Sequence, residues 1–258
     1  MSQDHINPDP LADSAGVPWA GRHFDVNAHA DDDGSADENL LATIADFRVG
    51  LGSAEAVVAA VAQARLLVPL VAKLGESGEG AHGQTVDKSA ELAIVAVRTP
   101  DGEVGMPVFT SVDAMRVWNT DARPVPAEAL RVAAAAAQEG ATRIILDPGS
   151  ESFFVLRRPA IWSIGRGTSW EHPSKNLELK AAIKAGIDVE PRVLNWGLRD
   201  GDPEAILAGA ELQVILMVSP DLPEEEHQAV TARIAEEWSG MPIISDLVDS
   251  IGVSFTAE

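Results

Sequence analysis

The sequence predicts an α+β protein, two related modules of mixed or antiparallel sheet packed with helices. Three observations carry that expectation. Short apolar runs of strand length are joined by tight turn signals, Pro100-Asp101-Gly102 and Asp147-Pro148-Gly149. Helical periods fall irregularly among them, whereas a doubly wound parallel sheet needs one helix after each strand. Finally, "ELAIVAVRTPD" (91–101) aligns without a gap with "ELQVILMVSPD" (211–221). Two related modules account for that likeness, and so does chance similarity between two buried strands.

The elements follow in order. Residues 1–50 read as an acidic tail rich in Asp, Ala, Gly and Pro, with Trp19 and Phe24 as possible anchors. Within it "HADDDGSADENL" approximates a calcium loop from His29, with Asp31, Asp33, Gly34 and Asp37 in register. His29 and Leu40, however, stand where two essential carboxylates belong, which leaves little affinity. From Ser53, an N-cap residue, Val57, Val58 and Val61 recur at helical spacing. "LLVPLVAKL" is an extended run in which Pro69 argues for an edge or bulged strand. Across the Pro-Asp-Gly turn, the strand ending near Arg98 pairs antiparallel with "EVGMPVFT".

"MPVFTSVDAMRVW" then reads as a strand to Thr110, Ser111 as a helix cap, and a helix whose Trp118 packs it onto the sheet. Ser111 could also seat a nucleophile, but that needs a base within reach, and no histidine lies nearby in sequence. "PVPAEALRVAAAAAQEG" predicts a helix with Pro126 in its first turn and Gly140 past its end. "ATRIILDPGSESFFVLRRP" predicts two strands around a turn, which completes a first domain at 51–165. A second, 170–258, holds the helix "NLELKAAIKAG", strands "EPRVLNWGLR" and "ELQVILMVS", a helix opened by a capping box of Asp221 with Glu224, and a last strand "SIGVSF".

Composition narrows the function. The 258 residues hold no cysteine, which excludes disulfides, thiolate metal sites and cysteine nucleophiles and fits a reducing compartment. The opening "MSQDHINPDP" has no apolar h-region, and no run approaches the roughly 20 residues of a membrane helix. The expectation is therefore a soluble cytoplasmic protein with no membrane partner. Net charge is −21, concentrated at the ends: residues 1–52 hold ten acids and two basic residues, and 221–258 nine and one. Such a surface repels phosphate backbones, so nucleic acid is not an expected partner.

Catalytic signatures are absent. "GEGAHG" (78–83) satisfies G-x-G-x-x-G, yet no helical period follows it to hold a pyrophosphate. There is no G-x-S-x-G, H-E-x-x-H, Walker lysine or S-x-x-K motif. The histidines, at 5, 23, 29, 82, 172 and 227, are scattered, and His82, His172 and His227 sit in polar segments that read as exposed surface. One stretch inverts the local charge. Residues 157–184 carry Arg157, Arg158, Arg166, Lys175, Lys180 and Lys184 against Glu171 and Glu178, with Trp162 and Trp170 among them. It could receive an anionic ligand, an acidic partner or the acidic tail. The plainer reading is a linker whose aromatic rings fill the interface between modules.

"ARLLVPLV", "MPVFTSVDAMRVW" and "ILDPGSESFFVL", in that order over about residues 53–165, resemble the N-terminal domain of the SseB family, named for enhanced serine sensitivity. The second half is similar more loosely to the family's C-terminal domain, through "ELQVILMVS" and the acidic helix after it. The resemblance implies a compact α+β domain in a bacterial cytoplasmic protein, and brings no catalytic residue, cofactor or reaction with it. The leading expectation is thus a non-enzymatic interaction or regulatory protein with an unidentified protein partner and no cofactor or metal. The alternative is a small-molecule-binding protein or enzyme with its site between the modules, built from Arg157, Arg158, Arg166, Lys175 and Trp118. A homo-oligomeric structural protein is the third.

Overall fold

A computed structural model of the chain describes residues 32–73 and 91–257. The glycine-rich match at 78–83, the anchors Trp19 and Phe24, and His5, His23, His29 and His82 lie outside the described residues. Among those described, eight α-helices and three small sheets make an α+β fold, as the turn signals predict.

The first module opens with α1 (Glu38–Arg48), a helix inside the stretch whose composition reads as a tail. Asp37 caps it by accepting from the Leu40 amide, so this acid closes a helix end rather than a calcium loop. Leu40 and Ile44 anchor it in the core. Helix α2 (Ala54–Gln63) starts at Ser53, whose side chain accepts from the Ala56 amide, and buries Val57, Val58 and Val61 as the spacing predicts. Each such side chain contributes about 1.5–3 kcal/mol on burial.

Strand β1 (Arg65–Lys73) follows at once and is central, not an edge: it pairs antiparallel with β2 (Glu91–Ile94) on one side and β5 (Arg123–Glu128) on the other. The register explains how Pro69 is tolerated. Leu67 exchanges both backbone hydrogen bonds with Phe109, at 2.8 and 2.9 Å. Alternation turns the nitrogen of Pro69 to that same side. There it meets the gap between Phe109 and the start of β2 pairing at Leu70, where no donor is needed. Opposite, Pro124 pairs with Pro69 and Pro126 with Leu67, so both β5 prolines turn their nitrogens to the free edge. Pro126 therefore belongs to a strand rather than a helix, and α4 (Ala129–Gln138) begins three residues later.

The second sheet runs β3 (Val97–Arg98), β4 (Val104–Val108), β6 (Arg143–Leu146), β7 (Phe154–Arg157). The β3–β4 and β6–β7 pairs are antiparallel and β4–β6 is parallel. Between β4 and β5 lies α3 (Val112–Trp118), and Ser111 caps it through the Ala114 amide. Trp118 packs on Phe109 with ring centroids 5.4 Å apart, in a small core with Leu67, Met115 and Ala122. Helix α5 (Arg158–Arg166) leaves β7 without a linker.

After a 3-10 turn (Pro173–Lys175) a second hydrophobic core, the second module, forms within the same compact unit as the first. Its elements are α6 (Leu177–Ile187), β8 (Val193–Asp200), β9 (Leu212–Val218), α7 (Glu224–Ser239), α8 (Pro242–Leu247) and β10 (Ile251–Ala257). Strand β9 is central, antiparallel to β8 and parallel to β10, and buries Leu212, Val214, Leu216 and Val218 in strict alternation. The helix before Trp238 makes room for it: Gly186 lies so close that a Cβ there would fall within 3.0 Å of the indole, whose Nε1 donates to the Ile183 carbonyl at 3.1 Å. Asp221 does not form the expected capping box. Pro223 is the N-cap of α7, and no side chain caps it. The aligned segments also differ in structure, for 91–101 is broken between β2 and β3 in two sheets while 212–218 is one unbroken central strand.

Candidate functional site

The two modules are joined through a set of buried charges. Arg157, the last residue of β7, reaches out of its own module. Its guanidinium donates to Asp202 at 2.6 Å, the Gly209 carbonyl at 2.7 Å and Ser250 Oγ at 3.2 Å, and lies 3.4 Å from Asp249. Arg143, on neighbouring β6, takes the other oxygen of Asp249 at 2.7 Å and Asp101 at 2.9 Å. The side chains of Arg143, Arg157, Asp202 and Asp249 are all at most 7% exposed, so each depends on the others for its charge.

Local backbone geometry holds the acids in place. Asp202 accepts from the amides of Ile206, Leu207 and Ala208, the inner face of a loop after β8 in which Ala205 and Leu207 have positive φ. At the neck of that loop Gly201 and Gly209 pass so closely that a Cβ on either would meet a backbone oxygen within 3.0 Å. The loop also completes the first module's sheet edge, its Ala205 carbonyl accepting from the Val155 amide at 2.8 Å.

Beside this network an open cleft of about 630 Å³ is lined by Asp101, Glu103, Arg143, Arg157, Arg158 and Asp249 among others. Arg158 is the most available cation, a quarter exposed, with one nitrogen on the Val248 carbonyl and its guanidinium 4.9 Å from the Trp162 ring. Asp101 is held below the usual carboxylate range: burial opposes this, but hydrogen bonds from Thr99 and Arg143 prevail.

On the inner side lies a small pocket of about 30 Å³, lined by Phe47, Trp170, His172, Asp200, Asp202 and Glu211 among others. His172 is 6% exposed, not a surface histidine. Its Nδ1 meets Ser174 Oγ at 2.8 Å and its Nε2 lies 3.4 Å from Asp200. Both modules enclose it: its amide donates to Glu55 of α2 at 3.3 Å, and its ring faces Asp200 of β8. Asp200 is pulled below its ordinary value; burial resists, and the hydrogen bond from His172 outweighs it along with the Asp202 amide. Glu211 moves the other way. Burial is the main cause, the Asp249 carboxylate adds to it, and together they outweigh the Asp249 amide, Arg157 and His172, pushing it up to about 7.

The remaining basic residues do not join this centre. Arg166 is exposed at the end of α5, 5.5 Å from the Trp162 ring. Lys175 pairs with Glu55 at 2.7 Å and ties the 3-10 turn to α2. Trp118 belongs to the small core under α3, whose members include none of these arginines. The expected basic patch is thus divided: Arg157 is consumed in the module boundary, Arg158 reaches from its rim to the Trp162 ring, and Arg166 lies near that ring away from the boundary. Around Trp162 the helices α4 and α5 leave a groove of about 260 Å³, lined by Leu130, Ala133, Ala134 and Ala137 on one side and Ile161, Trp162, Gly165 and Arg166 on the other. Leu130 is 52% exposed at its mouth.

Ser111 has no nucleophilic partner set; its hydroxyl accepts from the helix it caps. The neighbouring hydroxyl of Thr110 donates to Asp147 at 2.7 Å, and Ser152 Oγ does so at 2.6 Å. Asp147 is fully buried, sits at φ +46°, and carries a pKa raised by that burial. It acts as the pin between the Thr110 junction and the turn after β6.

Sequence reasoning missed Asp202, Glu211, Asp249 and Arg143, because their partners lie 38–106 residues away in the chain. Residues 38–163 match the family model described as SseB protein N-terminal domain. No curated protein and no solved structure matches the chain. The matched span runs from the first residue of α1 into α5 and contains β1, the Ser111 junction and the Asp147 turn, the same motifs that carry the resemblance in sequence. Residues 38–163 therefore carry an SseB N-terminal domain.

Proposed function

We propose that the protein is a non-enzymatic interaction module whose α4–α5 groove receives an acidic, amphipathic segment of a partner protein. The groove carries this reading. Its alanine floor lets a helix or extended segment approach closely, and an aromatic ring flanked by arginines is the composition that dominates interface energetics. Arg166, which lines the groove beside Trp162, sets the charge of the occupant, and its position on an otherwise acidic chain makes that preference local. In this reading the protein works in a bacterial cytoplasm, and the family's name links it to serine sensitivity in amino-acid metabolism.

A photo-crosslinking side chain placed at Leu130, in cells of the source bacterium, tests it. The same probe at Val117, 70% exposed on α3, serves as control. The expected result is a discrete adduct from position 130 whose crosslinked peptide is acid-rich and which disappears with Arg166→Glu. An adduct pattern equal to that from position 117, or one indifferent to Arg166→Glu, overturns the reading.

A second reading rests on the cleft at the module boundary. Its lining arginines and acids are balanced, three of each, which suits a small zwitterion or anion rather than a chain. Thermal stabilisation by a panel of amino acids and anionic metabolites, lost with Arg158→Ala, would support it.

A further inference from the structure

Glu211 is a surplus charge in an otherwise balanced centre. Arg143 and Arg157 face Asp202 and Asp249 from the two modules, all four almost wholly buried. At the rim Arg158 and Asp101 repeat the balance, and the His172 ring nitrogen lies 3.4 Å from Asp200. Glu211, 3% exposed at the foot of β9, has no cation of its own. Its Oε2 accepts from the Asp249 amide at 2.6 Å, and its Oε1 has no protein partner, like Nε1 of Trp170 on the same cavity. The cavity has room for about one water.

We propose that Glu211 is a proton-operated latch on the module boundary, closed when the carboxyl is protonated and loosened when it ionises. Ionisation places a third carboxylate beside Asp202 and Asp249 against two arginines. The strain falls on the two segments that hold Glu211, the loop 200–211 and the turn 248–250. These same segments form one wall of the open cleft, through Leu207, Gly209, Ala210, Asp249 and Ser250. Loosening them changes access to Arg157 and Arg158, so the boundary state follows the proton.

The sign follows from linkage. A glutamate at 4.5 when solvated and about 7 when closed in binds more protons in the closed state, so closure is favoured at low pH and weakens as pH rises between those values. Above about 7 the penalty is complete. Between pH 5.5 and 8 opening should grow by roughly 30-fold.

Hydrogen exchange on the full chain, corrected for the intrinsic pH dependence of amide exchange, reads this directly. In the wild type, peptides covering 200–211 and 248–250 should open roughly 30-fold more at pH 8 than at pH 5.5. Glu211→Gln, which keeps the neutral shape, should hold both at the low-pH level. A variant whose pH dependence equals that of the wild type overturns the proposal. Should that variant not fold, carbon-13 titration of the Glu211 carboxyl in the wild-type chain decides alone: a midpoint near neutrality sustains the latch, and one at the ordinary glutamate value refutes it.

Discussion

Replacing Arg157 by methionine should cost about 3 kcal/mol of stability, because the guanidinium compensates charge that has no other exit from the boundary. Breaking a buried pair by removing one partner costs about 3–5 kcal/mol in general. Two features pull the value to the lower end. Asp202 keeps its three amide donors, and Asp249 keeps Arg143. Two features keep it from falling further, since the Gly209 carbonyl loses its donor and the boundary is left with one cation fewer than it has acids. Methionine fills much of the aliphatic volume, so the loss reports charge rather than packing. Urea unfolding at pH 7, followed by tryptophan fluorescence, measures it, with Arg166→Glu as an exposed control expected within about 0.5 kcal/mol of the wild type. A loss below about 1 kcal/mol for Arg157→Met would refute the view that these charges join the modules. Charge reversal at Arg157 is a poor probe of binding for the same reason: it would set a further carboxylate against Asp202 and Asp249.

Two other substitutions test local claims. Asp147→Ala should destabilise by about 2–4 kcal/mol, since it strands the Thr110 amide and leaves alanine at a positive φ, whereas Asp147→Asn should cost well under half as much, asparagine tolerating that conformation. Equal losses in thermal unfolding would refute the pin. Gly186→Ala should destabilise by about 1–3 kcal/mol despite alanine's better helix propensity, because its Cβ collides with the buried Trp238; a stabilised variant would refute that packing.

Features that depend on a few neighbouring residues were legible in the sequence. Ser53 and Ser111 cap helices because a cap needs only the amide three residues on, and the alternation of β9 needs only one buried face. The Asp147 turn and the β3–β4 hairpin were readable for the same reason. Pro69 and Pro126 misled because proline's meaning in a sheet depends on which edge its nitrogen faces, and the register settles that from strands about 60 residues apart. The site was least legible. His172 sits in a polar segment yet is buried, because Glu55 of α2 and Asp200 of β8, both distant in sequence, close on it. Arg157 and Arg158 are adjacent in sequence and look alike, but the passage from strand to helix between them sends one inward and the other toward Trp162.

The prolines of β5 also bear on what can be added to this molecule. A sheet edge with free amide donors is a template onto which another copy's strand can grow, in swapping or in fibrils. Pro124 and Pro126 remove two consecutive outward donors from β5, so an incoming strand would find carbonyls there with no matching amides. A small, strongly paired sheet is thereby closed to recruitment along that border. A partner meeting that border must bind through side chains and not by continuing the sheet.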